Sequence, residues 1–408
     1  MERPWRIACL VSHPIQYQAP LFRRIAMDAR LDLTVFFSSS MGARAYRDPG
    51  FGIEVTWDVP LLEGYRHEFL GSQEAGLRAM FHRLKDGNFD ALWLHDYAQG
   101  TKLRALLAAR ALGVPVILRC ESHLQSHPRS IARRAAKAIL LRLLFRGVDA
   151  FLAIGAANRG YYLHYGVSPE RIFMVPYAVD NHFFRCGAER AASARAELRA
   201  ELALEPGRPV ILYAAKLIAA KRPHDLLDAY LKLSADGCEP RPYLLLVGDG
   251  AQRRSLELRA RATGWRSIRF CGFIGQQELP RYYDLCDVFV LPSEFEPWGL
   301  VVNEAMNAGK PVVVTDRVGA AADLVREGVN GFVVPARNVA RLSASLGRLA
   351  DDPLLRVRMG AASRSIIEHW DFEADLAGLL QALDARAPRR SRGVPRTIPD
   401  KLVHARVK

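Results

Sequence analysis

Short apolar runs punctuate this chain at regular intervals, and amphipathic stretches fill the gaps between them. In the first half the runs are Arg6–Ser12, Leu31–Phe37, Ala91–Leu94, Val114–Leu118, Ala150–Ile154 and Ile172–Val175. Each is four to seven residues long, rich in Val, Ile, Leu and Phe, and lacks strict alternation. That is the pattern of strands buried on both faces. Helical periodicity fits Ala19–Met27 and Thr101–Ala111, with Gly113 just past the second. The second half repeats the scheme. Its strands are Val210–Tyr213, Tyr243–Val247, Ile268–Cys271, Val288–Leu291, Pro311–Thr315 and Gly331–Val334. Helices are predicted at Pro223–Ala235, Gln252–Thr263, Gln277–Leu285, Leu300–Ala308 and Phe372–Ala385. Strands alternating with helices imply mostly parallel sheets covered on both faces. The stretch 180–209 is helical and charged, without a buried-strand pattern, so the domain junction is placed there.

The length of 408 residues suits two to three domains. An even balance of hydrophobic residues with a quarter charged excludes a disordered chain, a collagen-like fibre and a disulfide-stapled miniprotein. No apolar run reaches the roughly 18–20 residues that a membrane span requires. Residues 1–11 carry no long apolar core of a signal peptide. The six cysteines (Cys9, Cys120, Cys186, Cys238, Cys271, Cys286) show no C-x-x-C pair. They read as small apolar packers in a reducing, cytoplasmic setting, with neither a zinc nor a disulfide framework.

Charge adds two features. Half of the formal +14 sits in the tail 386–408, where eight basic residues face only Asp400; with three prolines this reads as a solvated or loosely docked extension. A second basic stretch runs from Arg129 to Arg146 with six cations and no acid. Ile131, Ile139, Leu140, Leu143, Leu144 and Phe145 give the same stretch an apolar surface. Two readings stand: a domain helix with that stripe in the core, or attachment to an anionic membrane surface. Neither aromatic–basic interleaving nor a reader motif supports nucleic acid as a partner.

The most informative segment is Pro292-Ser-Glu-Phe-Glu-Pro-Trp-Gly-Leu-Val-Val-Asn-Glu-Ala-Met-Asn-Ala-Gly-Lys-Pro311. A strand ends at Leu291 and a helix begins near Gly299 or Leu300. Free N–H groups at such a helix start bind phosphate. Glu304 lies one turn inside the helix, at i+4 from Leu300, where its carboxylate can accept from two ribose hydroxyls. Glu296, in the preceding loop, faces what lies beyond the diphosphate. The spacing therefore suits a nucleoside diphosphate joined to a polyhydroxylated group.

This segment resembles the E-x7-E signature of retaining glycosyltransferases of family 4, the group 1 glycosyltransferases. The match extends to Ala215-Lys-Leu-Ile-Ala-Ala-Lys-Arg-Pro223, similar to that family's Gly-Arg-Leu-x-x-x-Lys-Gly, and to Val247–Gly250, Phe270–Phe273 and Tyr282–Ser293. Val175–Asp180 resembles its interdomain segment, and Trp370 the aromatic before its last helix. The resemblance implies the α/β GT-B fold: two Rossmann-like, doubly wound domains facing a deep interdomain cleft. Residues 1–180 would form the acceptor-side domain and 181–368 the nucleotide-sugar domain. A helix at 369–385 would cross back to the first domain, ahead of the basic tail 386–408.

By the same resemblance Glu304 would bind ribose and Glu296 the donor sugar's hydroxyls. Lys221 would neutralise the leaving diphosphate with help from Lys216, where the family usually has arginine. Gly299, Leu300 and Val301 would present N–H groups to phosphate. His95 resembles the family histidine that contacts the donor sugar or acceptor. His13, Glu121 and His123, at other strand ends, are further candidates for such contacts. Each histidine also reads as a structural hydrogen-bonder. The glycine-rich loop many relatives have after the first strand is replaced here by Ser12-His13-Pro14.

The implied activity is retaining, metal-independent transfer of a hexosyl group from a UDP- or GDP-linked sugar, with no cofactor. The acceptor would be a saccharide or a lipid-linked group, in surface polysaccharide, lipopolysaccharide or glycolipid synthesis on the inner face of a bacterial membrane. The alternatives are a nucleotide-sugar epimerase of similar fold and a non-catalytic nucleotide-binding partner protein. A dinucleotide oxidoreductase is disfavoured, because no G-x-G-x-x-G follows the first strand.

Overall fold

The structure, a computed structural model, describes residues 3–71, 76–124, 131–235 and 240–386. Two parallel sheets form two domains. The N-terminal sheet runs, in spatial order, Arg66–Phe69, Leu31–Phe37, Trp5–Val11, Ala91–His95, Val116–Arg119, Ala150–Ala153 and Ile172–Met174. The C-terminal sheet runs Ile268–Gly272, Tyr243–Val247, Val210–Ala214, Val288–Leu291, Val312–Thr315 and Gly331–Val334. Helices cover both faces, which explains why the strands read as unbroken apolar runs. In each sheet the first strand is central and the order reverses beside it. One reversal lies between Trp5–Val11 and Ala91–His95, the other between Val210–Ala214 and Val288–Leu291. Crevices at the carboxyl ends of strands at such points are where ligands bind in this architecture.

Past the C-terminal domain, the helix Phe372–Arg386 returns to the N-terminal sheet. Leu376, Leu379, Ala382 and Leu383 are buried with Ile7, Val35 and Leu152 of that sheet. Gly378 permits the close approach, since a Cβ there would stand 2.0 Å from the Met174 carbonyl oxygen. Arg119 and Asp375 form a buried ion pair at 3.0 Å. The Arg119 guanidinium also donates to the Pro176 carbonyl at 3.3 Å and lies over the Tyr177 ring. One cation thus ties a strand end to the crossing helix and to the interdomain segment.

Two features escape the apolar pattern. The edge strand Arg66–Phe69 is mostly exposed, so its sequence carries no buried-strand signal. Tyr46–Arg47 and Glu54–Val55 pair antiparallel as a short hairpin. The basic stretch forms the helix Ile131–Arg146. Only part of its apolar surface enters the core: Leu141 and Phe145 are buried, whereas Ile139, Leu140 and Leu143 are 61%, 63% and 55% exposed. The core reading of that stripe is therefore corrected for these three residues. Arg129 and the tail 387–408 lie outside the described residues. Among the described cysteines Cys9, Cys120 and Cys286 are buried, Cys186 and Cys271 are half-buried, and none is in a disulfide.

Candidate functional site

The C-terminal switch point builds the first half of the site. After the strand Val288–Leu291 the chain turns at Gly299, whose φ of +97° is left-handed. A Cβ there would lie 3.1–3.2 Å from Leu291, Glu296 and Val318, so glycine is needed for conformation and for space. The helix Leu300–Asn307 starts at once, with no side chain capping it. Gly299, Leu300 and Val301 line an interdomain cavity of about 490 Å³. Lys216 and Lys221, from the loop after Val210–Ala214, line the same cavity, as does Glu296.

Both lysines are held by acids. Lys221 pairs with Glu296. Lys216 donates to both carboxylate oxygens of Asp48 at 2.7 and 3.0 Å, and its ammonium sits 4.7 Å from the centre of the Phe51 ring. Asp48 and Phe51 belong to the N-terminal hairpin, which reaches across the cleft. Phe51 and Trp57 meet Phe273 edge-on, and Asp58 accepts from the backbone N–H groups of Gln276 and Gln277 at 2.8 and 3.0 Å. Sequence reasoning missed Asp48, Phe51, Trp57 and Asp58. The available signal was the turn-forming run Asp48-Pro-Gly-Phe-Gly52, with an aromatic between two glycines.

Glu304 is fully buried and does not open on the cavity. Its Oε2 accepts from the Tyr283 hydroxyl at 2.5 Å, and the Tyr17 hydroxyl of the other domain approaches the same carboxylate. Oε1 has no hydrogen-bond partner. Burial raises the carboxyl pKa to about 7, against the opposing pull of the two phenols. Tyr17, which does line the cavity, stands between it and Glu304.

The N-terminal switch point forms a second cavity of about 380 Å³, joined to the first through Ile15, Tyr17, Glu121 and Tyr177. His95, Glu121 and His123 line it, whereas His13 faces the first cavity. His95 Nδ1 is 3.2 Å from Gln18 Nε2, while its Nε2 has no partner. Burial, with Arg119 and Lys102 nearby, pushes its pKa well below the usual histidine value, so the ring is neutral at pH 7. Glu121 accepts from the Tyr177 hydroxyl at 2.6 Å, and burial raises its pKa. His123 stacks on Phe295 across the cleft at 5.2 Å. Burial lowers the pKa of His123 and of His13, which bonds Ser12 Oγ at 2.9 Å. Lys102, on the helix Gly100–Ala111, lines this cavity as well. It escaped the sequence reading because a lysine two residues into a helix looks like an ordinary surface cation.

The segment linking the domains is clamped. Trp298 stacks on Trp370 with centroids 5.4 Å apart. Trp370 Nε1 and Asn303 Nδ2 both donate to the Tyr177 carbonyl, at 3.1 and 3.0 Å, and Asn303 Oδ1 accepts from Trp298 Nε1 at 3.0 Å. The helix carrying Glu304 is thereby fixed to the hinge.

Known proteins resemble this chain in sequence and in fold. The family model "Glycosyl transferase 4-like domain" matches residues 17–178, and "Glycosyl transferases group 1" matches residues 194–366. An alpha-D-kanosaminyltransferase of Streptomyces kanamyceticus is 30% identical over 276 residues, 65% of this chain and 70% of that protein. A D-inositol 3-phosphate glycosyltransferase of Streptomyces scabiei is 29% identical over 315 residues, 74% and 69% of the two chains. Among solved structures, Anabaena HepE in complex with UDP and glucose superposes with a TM-score of 0.73 at 18% identity, covering 93% of this chain and 100% of that one. The lipopolysaccharide outer core galactosyltransferase WaaB superposes at 0.66 and 15% identity, covering 93% and 99%. These two likenesses concern the fold.

The buried Glu304 carboxyl makes a pH prediction. Its pKa is raised to about 7, so the folded chain holds a proton there that the unfolded chain releases near pH 4.5. Stability from this group is complete below that pH and is lost as pH rises through 7. Glu304→Gln removes its share, on the order of 3 kcal/mol at full ionisation. The melting temperature of Glu304→Gln relative to wild type therefore climbs between pH 5 and 8; a pH-independent difference contradicts the assignment.

Proposed function

This chain belongs to the group 1 glycosyltransferases and uses a nucleotide sugar as donor; from that premise we propose that it transfers a hexosyl group with retention and without a metal. The observation that carries the reading is the convergence of Lys216, Lys221 and the uncapped helix start at Gly299–Val301 on one cavity at the switch point. A departing diphosphate gains negative charge, and fixed cations together with a helix N-terminus compensate it where water is excluded. Asp48 and Glu296 hold the two lysines until the phosphates displace them. Glu296 then turns to the sugar hydroxyls. The ribose hydroxyls take the place of the Tyr17 hydroxyl at Glu304, whose unpartnered Oε1 accepts the second of them. Gln276 is buried with its amide oxygen unpartnered and lines the same cavity near Phe273 and Ile274, which suits a uracil or guanine N–H.

The acceptor enters from the N-terminal cavity, past His95 and Glu121. Its hydroxyl attacks the anomeric carbon on the face that the diphosphate leaves, and its proton passes to the departing phosphate oxygen. The bond to phosphate breaks, the glycosidic bond forms, and no protein nucleophile intervenes. The test is turnover of UDP- and GDP-sugars with saccharide and lipid-linked acceptors in the presence of EDTA. The expected product keeps the donor's anomeric configuration, and Lys221→Ala lowers kcat by about a hundredfold or more. An inverted product, or activity lost to EDTA and restored by Mg²⁺, contradicts the mechanism. Altered stereochemistry of free donor without acceptor favours the epimerase instead.

The acceptor class we infer is lipid-linked, as in bacterial surface polysaccharide, lipopolysaccharide or glycolipid synthesis. The exposed Ile139, Leu140 and Leu143 lie on a helix that carries Arg134, Arg142 and Arg146 and contains no acidic residue. Such a face suits an anionic bilayer, with leucines among the acyl chains and arginines at the phosphates. Among the described residues no helix is long and apolar enough to cross a membrane. Sedimentation with phosphatidylglycerol vesicles is expected to carry the protein down. Leu140→Glu/Leu143→Glu is expected to reduce that binding at least tenfold, as is replacing the vesicles with phosphatidylcholine. Equal binding by wild type and variant removes this surface from the account.

A further inference from the structure

The N-terminal cavity holds a group that the mechanism above does not use. Lys102 is only 2% exposed, and its ammonium has no hydrogen bond or salt bridge among the described residues. Its stem is buried, and its ammonium end opens on the cavity, where a bound group can reach it. Two carboxylates line the same cavity, yet both are engaged elsewhere. Asp96 accepts from the Tyr97 N–H at 2.6 Å, and Glu121 accepts from the Tyr177 hydroxyl. Arg119, the other cation lining the cavity, is committed to Asp375.

Other donors around Lys102 also lack acceptors. With the Gln18 amide nitrogen turned to His95, Nδ1 accepts, and that tautomer carries its proton on Nε2. That nitrogen is buried with no partner, on a residue more than nine-tenths buried that lines the cavity. The helix Gly100–Ala111 begins at the cavity wall, with Gln99 and Lys102 lining it and no side chain capping its first turn. A cation, an imidazole N–H and a helix start therefore line one space, and none of the three makes a hydrogen bond to the Asp96 and Glu121 carboxylates that share it. Their natural complement is a group that only accepts and carries charge.

We propose that this cavity binds an anionic group of the acceptor, a phosphate or a carboxylate, with Lys102 as its counter-ion and His95 Nε2 as a hydrogen-bond donor. The inference deepens the acceptor half of the reading above and rests on it. It makes Lys102 a specificity residue: acceptors carrying the charge are used, and their neutral counterparts are poorly bound. Burial lowers the Lys102 pKa, and Asp96, Cys9 and Glu121 oppose that shift.

The experiment is calorimetric titration with inorganic phosphate and, separately, with glucuronate. The proteins are wild type, Lys102→Met and Lys221→Met, with Lys102→Gln in reserve should the methionine variant not fold. At least one anion is expected to bind wild type and Lys221→Met, and to bind the Lys102 variant at least tenfold more weakly. Phosphate alone points to phosphorylated acceptors and glucuronate alone to uronic acids; either result supports the proposal. It is overturned if neither anion binds wild type, or if binding survives loss of Lys102. Binding lost only in Lys221→Met assigns the anion to the donor cavity and overturns it too. UDP and GDP binding, read on the same samples, reports on the donor reading alone. Its retention in the Lys102 variant shows a folded protein, and its absence from wild type sinks the donor reading whatever the anions do.

Discussion

Gly299 turns the chain through a left-handed conformation at the end of a central strand, and a helix starts in the next residue. Any side chain at that position would press on Leu291, Glu296 and Val318. The turn leaves the helix start uncapped at the sheet's switch point, opposite the loop that carries two lysines. It also sets Glu304 a turn deeper, under Tyr283 and Tyr17. Positive backbone charge at the start and a buried carboxyl one turn in belong to one short helix. In the proposed mechanism they mark where a diphosphate and a pentose would sit.

The same helix is coupled to the hinge. Asn303, one residue before Glu304, bonds the Tyr177 carbonyl and Trp298, and Trp298 stacks on Trp370 ahead of the crossing helix. The cavity's charges are likewise shared between domains, since Asp48 of one neutralises Lys216 of the other. Half-buried pairs of this kind are worth little in net stability but hold side chains in register. In the proposed mechanism a ligand bearing two phosphates competes with Asp48 and Glu296 for the same ammonium groups. On that proposal donor binding and domain contact are alternatives at Lys216, and Tyr17 at Glu304 repeats the logic on the ribose side.

Much of this was legible in the chain. Strands such as Leu31–Phe37, Tyr243–Val247 and Val288–Leu291 lie where their apolar runs begin and end, because parallel strands buried on both faces leave an unbroken signature. The helix Leu300–Asn307 was marked by glycine at its start and by the family pattern around it. What the sequence concealed has a common cause. Asp48, Asp58 and Tyr17 act across the cleft, on partners some 170 to 290 residues away in the chain, and no local periodicity encodes such a meeting. Lys102 is hidden for another reason: polarity suggests a surface position, and burial is visible only once the sheet and its helices are assembled. The pairing of Lys221 with Glu296 was equally unreadable, although each residue had been singled out.

The most direct measurement is a crystal structure of the protein with a nucleotide diphosphate sugar that it turns over. The account predicts the diphosphate at Gly299–Val301 beside Lys216 and Lys221, the ribose on Glu304, and Tyr17 withdrawn from that carboxylate. A nucleotide seated elsewhere, with Tyr17 still on Glu304 and both lysines still on their acids, would contradict it.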